Sequence, residues 1–281
     1  MQVTQLWQYP VKSMIGRRVD EVRVDELGVV GDRSWAARDV DKGGIRGAKK
    51  IAGLMQLTAT DIADGHVEIT FPDGSTVRTS DADRDERLSD ALGVQVRLEQ
   101  LRPASDTDHY RRGAPDSDDM LEELRGIFGR TDDEPLPDLS VFPPELMEFE
   151  SPPGTYYDAF PLLVMTEQAL ETLTDSLPES VIDVRRFRPS IVVDAGAVAT
   201  ATSGHPEFGW AGRRARLGEA QIDFTVPCPR CVMVTREIDD EVGQDRAVLR
   251  HIVRELDQNV GVYASITQPG AIRVGDRLEL L

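Results

Sequence analysis

Gln221-Ile222-Asp223-Phe224-Thr225-Val226-Pro227-Cys228-Pro229-Arg230-Cys231-Val232-Met233-Val234 is the stretch on which the fold class turns. Its first six residues alternate polar and apolar, the period of two expected of a half-buried strand. Two prolines interrupt the alternation around the cysteines. The residues after Cys231 again have the chemistry of a strand. A redox dithiol of the thioredoxin type needs a helix at that point, because the helix dipole is what lowers the thiol pKa. A strand on both sides of the cysteines points instead to a β framework.

The flanking chain reads the same way. Residues 19–24, 34–39 and 94–101 are strand runs. Residues 66–71 and 75–79 flank Pro72-Asp73-Gly74, a hairpin signal. A short helix is expected over residues 83–92. Beyond residue 160, Pro161-Leu162-Leu163-Val164-Met165 is a buried-strand run, and Thr166 has the form of an N-cap. The helix it starts carries Ala169, Leu170, Leu173 and Leu177 on one face. Residues 191–193, 215–217, 262–266, 271–274 and 278–281 are further strands. Residues 246–256 form an amphipathic helix with Val248, Leu249, Ile252, Val253 and Leu256 inward. Many short strands, few helices and no βαβ alternation predict a mainly β chain with a few helices, built from barrels or sandwiches.

Residues 103–150 differ in character. They hold 14 acidic residues against 4 arginines, with prolines at 103, 115, 135, 137, 143 and 144. Residues 118–128 could be helical, and the rest reads as a long acidic loop. It would be a solvated insertion or a lid.

Composition narrows the function. The chain has 281 residues, 40% hydrophobic and 29% charged, with a net charge of −18. Such a surface repels phosphate backbones and anionic bilayers, so neither nucleic acid nor a membrane is an expected partner. No apolar run reaches the roughly 18 residues of a spanning helix. The opening Met1-Gln2-Val3-Thr4-Gln5-Leu6-Trp7 reads as a strand without the basic and apolar regions of a signal peptide, so a cytoplasmic location is expected. Two cysteines three positions apart exclude a disulfide framework.

Several residues carry candidate chemistry. Cys228 and Cys231 admit a zinc site, a redox dithiol, a single thiolate on a soft metal, or two inert buried thiols. Zinc needs four ligands, and His66, His109, His205 and His251 lack ligand spacing. A lone thiolate suits a soft or high-valent centre, and Arg230 beside it favours the ionised form. Arg185-Arg186-Phe187-Arg188-Pro189 is the densest basic cluster, suited to a phosphate or carboxylate, or else to surface salt bridges. Tyr9-Pro10-Val11-Lys12-Ser13 offers an ammonium and a hydroxyl, or is an ordinary turn. Gly31-Asp32-Arg33 and Asp158 are contacts or turn residues. No glycine-rich nucleotide loop is present.

Together these segments resemble the MOSC superfamily with its N-terminal β-barrel partner domain. The matching pieces are Tyr9-Pro10-Val11-Lys12-Ser13, Gly28 with Gly31-Asp32-Arg33, Tyr157-Asp158-Ala159-Phe160-Pro161, Arg186-Phe187-Arg188-Pro189, Cys228-Pro229-Arg230-Cys231 and Pro269-Gly270-Ala271-Ile272-Arg273-Val274-Gly275-Asp276. They run in the family's order, and the nearest pattern is that of its amidoxime-reducing branch. The resemblance implies an N-terminal β-barrel domain over 1–102, the acidic insertion or linker over 103–150 and a MOSC β-barrel over 151–281. It implies a molybdenum–molybdopterin cofactor whose metal is held by Cys231, the catalytic position, with Lys12, Ser13, Arg33, Asp158, Arg188 and Arg230 contacting the cofactor. Cys228 would be a buried residue behind that site. The implied activity is reduction of N-hydroxylated or related N-oxygenated small molecules. Some relatives carry an iron–sulfur domain, but no cysteines remain here to ligate a cluster, so electrons are expected from a separate donor protein. The alternative is a non-redox carrier of the cofactor or of sulfur. Sulfurating MOSC domains usually follow a pyridoxal phosphate binding domain, and none is expected in this chain.

Overall fold

Strands β1 (Gln2–Gln8), β2 (Arg17–Val19), β3 (Glu21–Asp25), β4 (Gly28–Val29) and β5 (Trp35–Asp39) open the chain in the computed structural model, which describes residues 1–196 and 204–281. β6 (Thr58–Asp61), β7 (Val67–Thr70), β8 (Thr76–Arg78), helix α1 (Arg84–Leu92) and β9 (Val96–Gln100) follow. The acidic segment contributes helices α2 (Thr107–Tyr110) and α3 (Met120–Phe128). Then come β10 (Leu162–Thr166), α4 (Glu167–Ser176), β11 (Ile191–Asp194), β12 (Arg214–Leu217) and β13 (Ala220–Pro229). The chain closes with α5 (Arg246–Glu255), β14 (Asn259–Gln268), β15 (Gly270–Arg273) and β16 (Leu278–Leu280).

The fold is mainly β with a few helices, as expected. Eight strands form one curled sheet in the order β16-β12-β13-β14-β10-β11-β1-β2. β1 pairs with β11, with Leu6 opposite Ile191. The first strand of the chain therefore lies in the sheet of its second half. Three small sheets, β15-β3-β4, β5-β9 and β6-β7-β8, complete the β structure among the described residues. Val22, Val24 and Ile272 of the first small sheet share a core with Leu6, Ile191, Phe224 and Ile266 of the large one. Trp35, Leu54, Ile69, Leu88 and Leu98 fill a second core beneath the other two. α4 and α5 pack a third around Met165, Leu173, Leu249 and Ile252.

Three expectations are corrected. β10 and β11 are parallel, and α4 is the crossover between them, so one βαβ unit sits in a chain expected to have none. The run after Cys231 is not a strand: Val232–Thr235 is a 3-10 turn. A strand would send Val232 and Val234 to one face. The turn instead drives Met233 into the core under the small sheets and Val234 into the core of α4 and α5. The acidic segment is also not simply solvated. His109 and Tyr110 are buried, and His109 hydrogen-bonds the Tyr156 hydroxyl at 2.6 Å. Arg130 and Glu134 are buried too. Asp119 caps α3 by accepting from the Leu121 and Glu122 amides.

Candidate active site

β13 carries its two prolines next to the cysteines. Proline cannot donate to the ladder, and the pairing with β14 shifts register between Phe224 and Pro227 and again between Pro227 and Pro229. The irregularity separates the two thiols. Cys228 is buried, and its sulfur accepts from Arg230 Nη1 at 3.0 Å. Tyr263 on β14 lies within hydrogen-bonding reach of the same thiol. Burial pushes the Cys228 thiol up despite Arg230, so it is a neutral thiol at physiological pH. Arg230 Nη2 donates to the Phe187 carbonyl at 2.8 Å, and its Nε is buried without a partner.

Cys231 is half-buried, at the head of the 3-10 turn. Its sulfur lies within Coulombic reach of Lys49, Arg130, Arg230 and Arg236. Arg130 reaches it from the acidic segment and is anchored by the Arg230 carbonyl at 3.1 Å and Gln258 Oε1 at 3.0 Å. Arg236 donates to the Ala48 and Lys49 carbonyls. Four cations around one thiol, in a chain of net charge −18, form a local field of the opposite sign.

Asp158 joins this cluster to the end of β1. Lys12 is buried and donates to Asp158 Oδ1 at 2.7 Å and to the Tyr156 carbonyl at 2.8 Å. Lys49 pairs with Asp158 Oδ2 at 3.2 Å. Burial works to raise the Asp158 carboxyl, but the two ammoniums hold it well below the usual carboxylate range. Burial works to lower Lys49, yet Asp158 and then Cys231 hold it above its ordinary value. Lys12, with less compensation, is pushed down by its burial. Ser13 sits at φ 68° with its hydroxyl against Gly47, where an added Cβ would meet Ser13 Oγ at 2.6 Å. That approach requires a glycine.

Tyr9 organises the third group. The Arg188 guanidinium lies 4.3 Å and the Arg33 guanidinium 5.5 Å from its ring centroid. Asp32 accepts from the Tyr9 amide at 2.6 Å and from Arg33 Nη1 at 2.7 Å. Arg188 Nη1 donates to the Met14 carbonyl, and its Nη2 is buried without a partner. Burial, with Arg33 next to it, pushes Arg188 down to about 10. Ser13, Arg33 and Arg188 are three of the six non-glycine residues at positive φ among the described residues. Each such position costs on the order of 1–2 kcal/mol, and strain of this kind collects at functional sites.

The seven residues singled out from sequence thus converge on one region. Their immediate neighbours in the basic cluster do not join them. Arg185 pairs with Asp183 and Asp239, and Arg186 is buried as a donor to four backbone carbonyls. Sequence reasoning missed Lys49, Arg130, Arg236 and Tyr263. Lys49 lies in an unpatterned loop, Arg130 in an acidic segment that masked it, and Tyr263 in a strand where it reads as packing.

Residues 1–110 match the family model described as the MOSC N-terminal beta barrel domain, and residues 152–279 match that of the MOSC domain. The mouse mitochondrial amidoxime-reducing component 1 is 25% identical, over 99% of this chain and 82% of that protein. The bovine mitochondrial amidoxime reducing component 2 is 23% identical, over 98% of this chain and 81% of its own length. Among solved structures, the YuaD protein of Bacillus subtilis gives a TM-score of 0.44 at 11% identity, over 99% of this chain and 94% of that one.

Proposed function

We propose that this chain, which belongs to the MOSC superfamily, is a molybdenum-cofactor-dependent oxidoreductase that reduces N-hydroxylated or related N-oxygenated small molecules with electrons from a separate donor protein. The observation that carries this reading is the Cys231 thiol set among Lys49, Arg130, Arg230 and Arg236, in an otherwise acidic molecule. A molybdopterin presents a soft metal that wants a thiolate and a phosphate that wants cationic donors. The residues fit both needs. Lys49, Arg130 and Arg236 act on the Cys231 sulfur, and Arg188 Nη2 and Arg230 Nε are buried donors with no partner of their own.

In this reading Cys231 holds the metal, and Lys12, Ser13, Arg33, Asp158, Arg188 and Arg230 hold the pterin and its phosphate. The cofactor when bound would supply the two-electron chemistry. Net, an N-hydroxylated compound takes two electrons and two protons and yields the reduced nitrogen compound and water. The chain's own groups set the field. Lys49, held protonated by Asp158, and Arg236 place positive charge near the Cys231 sulfur. Arg230 binds Cys228 and the Phe187 carbonyl, which fixes the backbone between the cysteines. Cys228 remains a neutral thiol behind the site.

Elemental analysis of protein made in a cofactor-competent host tests the assignment. About one molybdenum per chain is expected, lost in Cys231→Ala and retained in Cys228→Ala, as a single thiolate ligand requires. Absence of molybdenum, or loss in both variants, overturns it and favours a non-redox role.

A further inference from the structure

A groove of about 820 Å³ opens between α3, the Val232–Thr235 turn and the start of α5. Its lining holds Arg125, Arg130, Arg236, Arg246 and Arg250. Three acids share it, and each is already engaged. Asp119 caps α3, Glu122 accepts from the Ser117 hydroxyl, and Asp132 pairs with Arg125 at 3.4 Å. Of the cations, Arg250 pairs with Glu134 and Arg125 with Asp132, while Arg130, Arg236 and Arg246 have no carboxylate partner among the described residues. Arg236 and Arg130 give their N–H groups to neutral carbonyl and amide oxygens, which leaves their charge uncancelled. Arg125 Nε is buried without a partner. Arg246 is exposed and makes no side-chain hydrogen bond or ion pair among the described residues. Leu121, Val232 and Leu249 supply an apolar floor.

The groove adjoins the thiol. Val232 follows Cys231 directly, and Arg130 and Arg236 belong both to the groove lining and to the field around Cys231. α3 closes against the turn and α5 at its C-terminal glycine. At Gly129, which ends the helix at φ 63°, an added Cβ would lie 2.8 Å from Leu249 and 3.2 Å from Val232.

From this we infer that the groove is the substrate's approach to Cys231 and that Arg125 and Arg246 select compounds bearing a carboxylate. The inference rests on the reductase reading for the reaction, but not for the binding. The volume suits a small molecule, the floor suits an apolar body, and the exposed, unpaired Arg246 guanidinium beside Arg125 suits one monoanion. Elsewhere a surface of net charge −18 repels such a ligand, so a local reversal of sign has a selective effect.

The test compares benzamidoxime with 4-carboxybenzamidoxime on the full-length, cofactor-loaded protein. Calorimetric titration without an electron donor should show the carboxylated compound binding about tenfold tighter, the scale of one charge-assisted hydrogen bond. Arg246→Gln and Arg125→Gln should each remove most of that preference, while Arg18→Gln, an exposed charge remote from the groove in the fold, keeps it. With reduced dye as donor, the ratio of kcat/KM for the two compounds should fall in parallel. Should Arg125→Gln fail to fold, the exposed Arg246 decides alone. Equal affinity of the wild type for both compounds, or a preference untouched by Arg246→Gln, overturns the inference even if turnover is normal. A preference that holds without turnover of either compound leaves the groove standing and sinks the reductase reading.

Discussion

Asp32 shows how the residues around Tyr9 trade stability for placement. Its side chain is 6% exposed, and burial raises its carboxyl to about 6 although Arg33 lies 2.7 Å away. A carboxyl raised on folding is protonated in the native protein while the unfolded chain is already ionised. Folding therefore takes up a proton between about pH 4 and 6, and stability falls as pH rises through that window. Asp32→Asn keeps an acceptor for the Tyr9 amide and removes the titration. Relative to wild type, it should gain about 1 kcal/mol between pH 5 and pH 7. Urea midpoints of both proteins at the two pH values measure this, and a constant difference would refute it. Two residues from Arg188, Arg186 has another task. Replacing it with Met should leave four carbonyls without their donor and cost about 3 kcal/mol or more, read as a fall in Tm. The sequence displays both arginines in one basic run and gives no means of telling which is structural. Only burial and the carbonyls that meet the side chain decide that. Lys12, Ser13 and Arg33 were legible because they sit in ordered motifs. Lys49 and Arg130 were not, because their approach to Cys231 is made entirely in three dimensions.

At the scale of elements, strands with a clear alternation were read correctly to within a few residues. β13, the β7–β8 hairpin and the Thr166-capped α4 all stand where the pattern put them. The error at Val232–Thr235 has a physical cause. Three consecutive apolar residues have no resolvable period, and their β-branched composition favours a strand until tertiary packing overrides it. The 3-10 turn is favoured because Met233 and Val234 serve different cores. The acidic segment misled for a related reason. Its abundant exposed carboxylates outweigh the few buried anchors in any composition count. Gly129 adjoins one such anchor, Arg130, and Gly129→Ala tests the docking of α3. The substitution loses the left-handed cap and forces Cβ against Leu249 and Val232. A loss of about 1–3 kcal/mol is expected, together with faster hydrogen exchange in α3 and weaker binding in the arginine-lined groove. Unchanged exchange would mean that α3 is not held by this contact.

For the whole molecule, the two-part reading is only a first approximation to what the chain builds. β1 is stitched into the large sheet through β11, and β3 pairs with β15 near the other end of the chain. No local pattern reveals pairings over such separations, since each strand reads the same whichever neighbour it finds. Net charge, by contrast, is a property of the whole that sequence gives directly, and under the proposed reductase function it bears on the donor protein. A body of charge −18 presents a mainly acidic exterior to an approaching protein. Electrostatic complementarity favours a basic donor, and such encounters weaken as salt shortens the screening length to below about 10 Å. Donor-driven turnover should therefore fall several-fold between about 0.02 and 0.5 M salt, mainly through the apparent KM for the donor. Turnover driven by a small neutral reductant, which needs no docking, should change far less over the same range. If the donor-driven rate is flat, or falls only as much as the reductant-driven rate, the acidic exterior has no part in docking and serves solubility alone.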